Sequence, residues 1–203
     1  MAGPGSDSAI TIRPLTGDEI APALDALAAL RIAVFRAYPY LYDGSAAYER
    51  AYLAEFAASP GAVLVAAFDD DTIVGAATAA PLSTQKPDFR TPFEVAGHDP
   101  DLIFYFGESV LLPAWRGRGI GHAFFDHREA RARAAGAKIA AFCAVARPPD
   151  HPARPTDYAP LDAFWRKRGY APAEGMVTDF SWRDIGDEDE MAHPMQFWMR
   201  RID

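Results

Sequence analysis

The stretch Arg116-Gly117-Arg118-Gly119-Ile120-Gly121 narrows the folds open to this chain more than any other. Three glycines alternate there between an aromatic and β-branched run, Leu102 to Leu112, and a helical pattern that continues to Ala135. Glycine has no Cβ, so the backbone can come close to a ligand. The first N–H groups of a helix are free and have the positive end of its dipole behind them. The segment therefore predicts a strand, an anion-binding turn suited to pyrophosphate, and a helix.

The surrounding pattern places this unit in one domain. With 203 residues the chain fits a single core, expected over residues 9–203, with Met1 to Ser8 as a flexible tail that lacks a secretory signal. Ile10 to Leu15 reads as a strand, and Thr16-Gly17-Asp18-Glu19 as a capping box opening a helix to about Tyr38. A second helix is expected over about Ala46 to Ala58, stopped by Pro60-Gly61. Ala62 to Phe68 and Thr72 to Leu82 flank three aspartates as a hairpin, with Gly75 marking a bulge. Ser83 to Asp101 reads as a long excursion with one helical turn near Phe93 to Ala96.

After the glycine run, helix periodicity puts His122, Asp126, Glu129 and Arg133 on one face and Phe124, Phe125, Ala132 and Ala135 on the other. Lys138 to Val145 then makes a strand, giving a β-α-β crossover and a parallel pair. A proline-rich loop, Arg147 to Pro155, leads to a short helix from Tyr158 to Arg168 closed by Gly169, and two strands follow, about Met176 to Asp184 and Pro194 to Arg201.

Composition excludes several functions. Acidic residues outnumber basic ones 28 to 20, a net charge of −8, which disfavours nucleic-acid binding and mildly favours a cationic partner. No apolar run approaches the ~18 residues that span a bilayer. The lone Cys143 suits a reducing, cytoplasmic location, and neither it nor the five histidines show metal-ligand spacing, so no metal is expected.

Three ligand classes use a glycine-rich helix start. A P-loop requires Gly-Lys-Ser/Thr, where this chain has Gly119-Ile120-Gly121. A dinucleotide fingerprint requires an acidic residue near the end of the next strand, and Lys138 to Val145 has none. The pattern Arg/Gln-x-x-Gly-x-Gly/Ala is met by Arg116, Gly119 and Gly121, in the context of Pro113, Trp115 and the later Phe164-Trp165-Arg166-Lys167-Arg168-Gly169-Tyr170. In this the chain resembles the GNAT superfamily of acyl-CoA-dependent N-acetyltransferases.

The resemblance implies an α/β (α+β) fold: a mixed, mostly antiparallel sheet of about seven strands with a splayed pair, flanked by about four helices. It implies acetyl-CoA as cosubstrate, held by backbone groups of Val110, Leu111 and Leu112 along the pantetheine arm and by Arg116, Gly117, Arg118, Gly119, Ile120 and Gly121 at the pyrophosphate. The split between the strand ending near Leu112 and the strand of Cys143 is where the family admits the amine. The acceptor, a small-molecule amine or a peptide, is left open. So is the oligomeric state, a homodimer included.

An alkyl ammonium has a pKa of about 10.4, so a base is needed before it attacks a thioester. Glu108, a carboxylate in an apolar strand, is the first candidate; the alternative is that it pairs with a buried base such as Arg128. Strand alternation places Tyr105 on the opposite face, so only one of the two is expected in the cleft. Relatives commonly place a tyrosine proton donor four residues before the glycine that closes the short helix. Trp165 stands there, which leaves Tyr158 or Tyr170 as substitutes, with aromatic packing as the alternative for Tyr170 and Trp165. Trp165 also supports a different reading, a non-catalytic acyl-CoA-binding sensor. Cys143 is expected in the core and not as a nucleophile.

Overall fold

The computed structural model describes residues 9–202; the expected tail, Met1 to Ser8, lies outside them. Seven strands form one sheet: β1 (Thr11–Thr16), β2 (Val63–Asp69), β3 (Thr72–Pro81), β4 (Ile103–Leu111), β5 (Ile139–Val145), β6 (Ala171–Trp182) and β7 (Met191–Arg201). Their order is β1-β2-β3-β4-β5-β7-β6, and only the β4–β5 pair is parallel. Helices α1 (Leu24–Phe35), α2 (Ala46–Ala58) and α3 (Pro87–Val95) pack on one face, and α4 (Ile120–Ala134) and α5 (Asp162–Lys167) on the other. The central strands explain the placement. Val63 to Ala67 and Ile103 to Phe106 are buried on both faces, so each side of the sheet must be covered.

Local chemistry sets the boundaries. The Thr16 N–H donates to the Glu19 carboxylate as expected, but the cap opens a 3-10 turn, and Pro22 starts a second before α1 begins at Leu24. In α2 the Ser45 hydroxyl accepts from the Tyr48 N–H at 3.3 Å. The excursion from Ser83 to Asp101 is more ordered than its lack of periodicity suggests. Pro87 opens α3 at the position where its missing N–H costs nothing, and Phe93 anchors the helix in the core.

Two irregularities shape β3 and its neighbours. Ala67 pairs with Gly75 and Phe68 with Ile73, so the bulge foreshadowed by Gly75 is present, with Val74 as the extra residue. A second bulge lies in β4, where Ser109 pairs with Ala77 and Phe106 with Ala79; Gly107 and Glu108 both face Thr78.

On α4 Phe124, Phe125 and Ala132 pack as the periodicity predicts, but Ala135 is the exposed C-cap and Glu129, expected on the polar face, is buried. Its carboxylate meets Arg168 at 3.2 Å, Arg200 at 3.1 Å and the Tyr170 hydroxyl at 3.1 Å. The polar face of α4 is thus covered by the end of α5 and by β7, and Glu129 is the shared anion that ties them. Removing it leaves two arginines without their central partner, at a cost of about 3–5 kcal/mol. Chemical denaturation of Glu129→Ala should show that loss of stability, and a midpoint equal to wild type would contradict it.

Candidate active site

β4 and β5 are hydrogen-bonded only from Ile103–Ile139 to Tyr105–Ala141. Beyond that point β4 continues along β3, β5 continues along β7, and the two part. The opening belongs to a cleft of about 1880 Å³ that runs from Gly119 and Gly121 past Glu108 and Cys143 to the aromatic side chains of Tyr38, Tyr40 and Trp182.

At one end is the anion cradle. Gly119 is the N-cap of α4 with φ +81°, and Gly117 has φ +77°. A Cβ at either would be strained, although it would meet open space. The first N–H groups of the helix to be used are those of His122 and Ala123, both donating to the Gly119 carbonyl. Among the described residues, those of Arg118, Gly119, Ile120 and Gly121 donate to no protein acceptor. Leu111, Arg116, Gly117, Gly119, Ile120 and Gly121 line the cleft, as expected of a pyrophosphate and pantetheine site. Arg118 does not line it, and Val110 buries its side chain among the residues under α1 and α2. The Leu112 N–H donates to Val74 and its carbonyl accepts from Trp115, so of its backbone groups only the second lone pair of the carbonyl is open to a ligand.

The β4 bulge corrects the parity argument. The extra residue flips the alternation, so that Tyr105 and Glu108 both point away from α4 and both line the cleft. Gly107 permits this, because a Cβ there would lie 2.6 Å from the Thr78 hydroxyl oxygen. That oxygen accepts the Glu108 N–H at 3.1 Å.

Glu108 is paired, but not with the residue expected. Its Oε2 lies 2.5 Å from Arg31 Nη1, and Arg31 Nε lies 2.5 Å from Glu49 Oε2. Arg128 instead donates to the main-chain carbonyl of Glu108 at 3.3 Å. Arg31 stacks over Tyr52, and the group carries two buried carboxylates against one guanidinium. Oε1 of Glu49 and Oε1 of Glu108 have no hydrogen-bond partner. Sequence reasoning missed Arg31 and Glu49 because nothing in α1 or α2 marks them before β4 is placed beside them.

The remaining candidates fall out by packing. Trp165 lies against Phe142 and Trp198, both at 5.0 Å between ring centroids, and Tyr170 is buried with its hydroxyl on Glu129. Tyr170 is thereby withdrawn from the cleft, whereas Trp165 also lines it, and an indole N–H is no practical acid. Tyr158 lines the cleft, edge-on to Tyr38 at 4.7 Å, and its hydroxyl is raised in pKa mainly by desolvation. Tyr105 is also raised, first by burial and then by Cys143. Among the described residues no group of three or more metal-binding side chains is assembled, and no helix is long and apolar enough to cross a membrane.

At the end of the cleft away from the glycines, the wall formed by residues 37–43 is held from across the cleft. Arg147 donates to the carbonyls of Pro39 and Tyr40 and to Asp184, each at 2.8 Å. Trp182 Nε1 donates to the Tyr40 carbonyl at 3.0 Å, and Tyr42 bridges to Asp184.

A parted parallel pair, with a glycine-opened helix at one side of the split and buried carboxylates at the other, defines an acyl-CoA-dependent acyltransferase architecture. The acetyltransferase (GNAT) family model matches residues 27–170, and the chain belongs to that family. Membership of an enzyme family favours catalysis over the sensor reading, which rested on Trp165 alone. Solved structures share the fold at low identity. A Salmonella typhimurium protein of acetyltransferase type, solved with its cofactor acetyl-CoA, is 13% identical with a TM-score of 0.61, covering 96% of this chain and 95% of its own. A ribosomal-protein-alanine N-acetyltransferase from Brucella melitensis is 15% identical with a TM-score of 0.60, over 94% and 99%. An aminoglycoside 6'-acetyltransferase type Ii is 18% identical with a TM-score of 0.56, over 95% and 97%. No curated protein sequence matches the chain.

Cys143 is buried, 3.0 Å from the Tyr105 hydroxyl, and burial pushes its thiol up to about 12. At about pH 8 its alkylation should be on the order of 10³-fold slower in the folded protein than in the unfolded chain, following the thiolate fraction. Rapid labelling of the native protein would reopen its reading as a nucleophile.

Proposed function

We propose that this cytoplasmic protein acetylates a primary amine, on a small molecule or a peptide, with acetyl-CoA as donor. The observation that carries this is the pairing, across one cleft, of the free N–H groups of Gly119, Ile120 and Gly121 at the start of α4 with an unpartnered carboxylate oxygen on Glu108. Bound acetyl-CoA supplies the activated acyl thioester. Backbone amides from Arg118 to Gly121 fit its pyrophosphate, and the edge of β4 left open past Tyr105 fits the peptide-like arm.

Arg31 holds Glu108 by Oε2, leaving Oε1 to receive a proton from the incoming ammonium, directly or through water. The excess negative charge of the Glu49–Arg31–Glu108 group favours a cation at that point. The departing thiolate gains from a proton donor. Of the two candidate tyrosines, both of which line the cleft, Tyr105 is engaged with Cys143, whereas the Tyr158 hydroxyl bonds to no protein group among the described residues. Tyr158 is the donor in this reading. Two of the structural neighbours act, by name, on an aminoglycoside and on a protein alanine, and either acceptor type presents an amine.

Two measurements test the assignment. Gly119→Val together with Gly121→Val places side chains at the cradle and forces a β-branched residue into positive φ, so a folded double variant should bind CoA far more weakly. Normal CoA affinity would sink the cofactor reading. Glu108→Gln should keep CoA affinity while turnover falls by roughly 10² to 10⁴. The ascending limb of its pH profile should also be lost; an unchanged limb would assign the titrating group elsewhere.

A further inference from the structure

Arg128 is the buried charge that this mechanism does not use. It is 1% exposed and sits on α4 with its guanidinium carbon 4.4 Å from the Phe106 ring centroid and 4.7 Å from that of Phe125. Its Nε donates to the Phe124 carbonyl, and its Nη1 to the carbonyls of Thr78 and Glu108, the two residues that face each other at the β4 bulge. Among the described residues no carboxylate lies within ion-pair distance of it, and Nη2 has no hydrogen-bond partner. A guanidinium so placed is costly. Burial pulls its pKa down to about 10, which still leaves it charged at neutral pH.

The place explains the cost. Arg128 lines the cleft together with Phe106, Gly107, Phe125 and Phe142, on the α4 side of the gap between β4 and β5. This is the stretch along which the open edge of β4 faces the cofactor arm. The arm is rich in carbonyl oxygens and has no charge of its own. We propose that Arg128 Nη2 is a binding group for the cosubstrate, donating a hydrogen bond to a carbonyl oxygen of the acyl-pantetheine arm. The inference rests on the acetyl-CoA reading and adds a side-chain contact to a site otherwise built from backbone. Two kinds of carbonyl are available, those of the two pantetheine amides and that of the acyl thioester, and the choice of ligand separates the kinds.

The test is calorimetric titration of wild type, Arg128→Lys and Arg128→Met with three probes: CoA, acetyl-CoA, and the nucleotide half of CoA, which keeps the pyrophosphate and lacks the arm. A charge-assisted bond predicts a loss of roughly ten- to a hundredfold in affinity for ligands that carry the arm, with the nucleotide half unaffected. Equal losses for CoA and acetyl-CoA assign an amide carbonyl; a loss confined to acetyl-CoA assigns the acyl carbonyl. Unchanged affinities, or equal losses for all three probes, would overturn the proposal and leave Arg128 as a support of the bulge. Should neither variant fold, wild type with isotope-labelled arginine gives the answer by magnetic resonance. The Arg128 Nη signals should shift with CoA and not with the nucleotide half, and signals that stay put while the amides of the cradle move would overturn it. Failure of wild type to bind CoA at all would remove the cofactor reading and this inference with it.

Discussion

One residue too many in β4 organises most of what this protein presents to a ligand. Gly107 and Glu108 share a single partner, Thr78, so the ladder with β3 is interrupted where the hydrogen bonds to β5 have just ended. The groups freed by the bulge are taken up locally. The Thr78 hydroxyl accepts one N–H, and Arg128 donates to the carbonyls on both strands. The interruption is therefore a satisfied structure, in keeping with the tendency of bulges to re-aim side chains next to functional sites. Without it, Glu108 would point toward α4 and Tyr105 alone would face the acceptor.

The same interruption divides charge. On the side of α1 and α2, one guanidinium serves two buried carboxylates; on the side of α4, a guanidinium is buried with carbonyls and aromatic faces. Burying unbalanced charge on both sides of one strand costs stability, and aromatic stacking of Arg31 and Arg128 offsets only part of that. Such cost is typical of groups retained for what they do to a ligand. The fold tolerates it because the surrounding strands, β2 and the first half of β4, bury apolar side chains on both faces.

The elements nearest in sequence to the glycine run were the most legible, since periodicity, turn residues and chain order all agree there. The hairpin, the β4–α4–β5 crossover and the length of α2 follow from local pattern. What was not legible depends on tertiary placement. The partner of Glu108 comes from a helix 77 residues earlier in the chain, Glu129 is hidden by segments that fold over it, and a bulge marked only by Gly107 reverses the alternation on which the Tyr105 argument relied. Arg128 was noticed as a base near Glu108, but not that it serves the main chain. Within the stretch read as a long excursion, Pro87 starts a helix because its first position needs no N–H.

The two ends of the cleft are constructed differently. The cradle is main chain within a few consecutive residues, so its shape is written into the glycines themselves. The wall of residues 37–43 is kept in place by Arg147, Trp182 and Asp184, which belong to other parts of the chain and hold its main chain, while the Tyr40 ring packs on Trp182 and the Asp43 carboxylate pairs with Arg183. Its shape thus depends on groups far away in the chain, both those that meet its carbonyls and those that pack on the rings of Tyr38 and Tyr40. A single substitution can therefore reshape the glycine cradle from within, whereas the opposite wall can be disturbed from positions more than a hundred residues away.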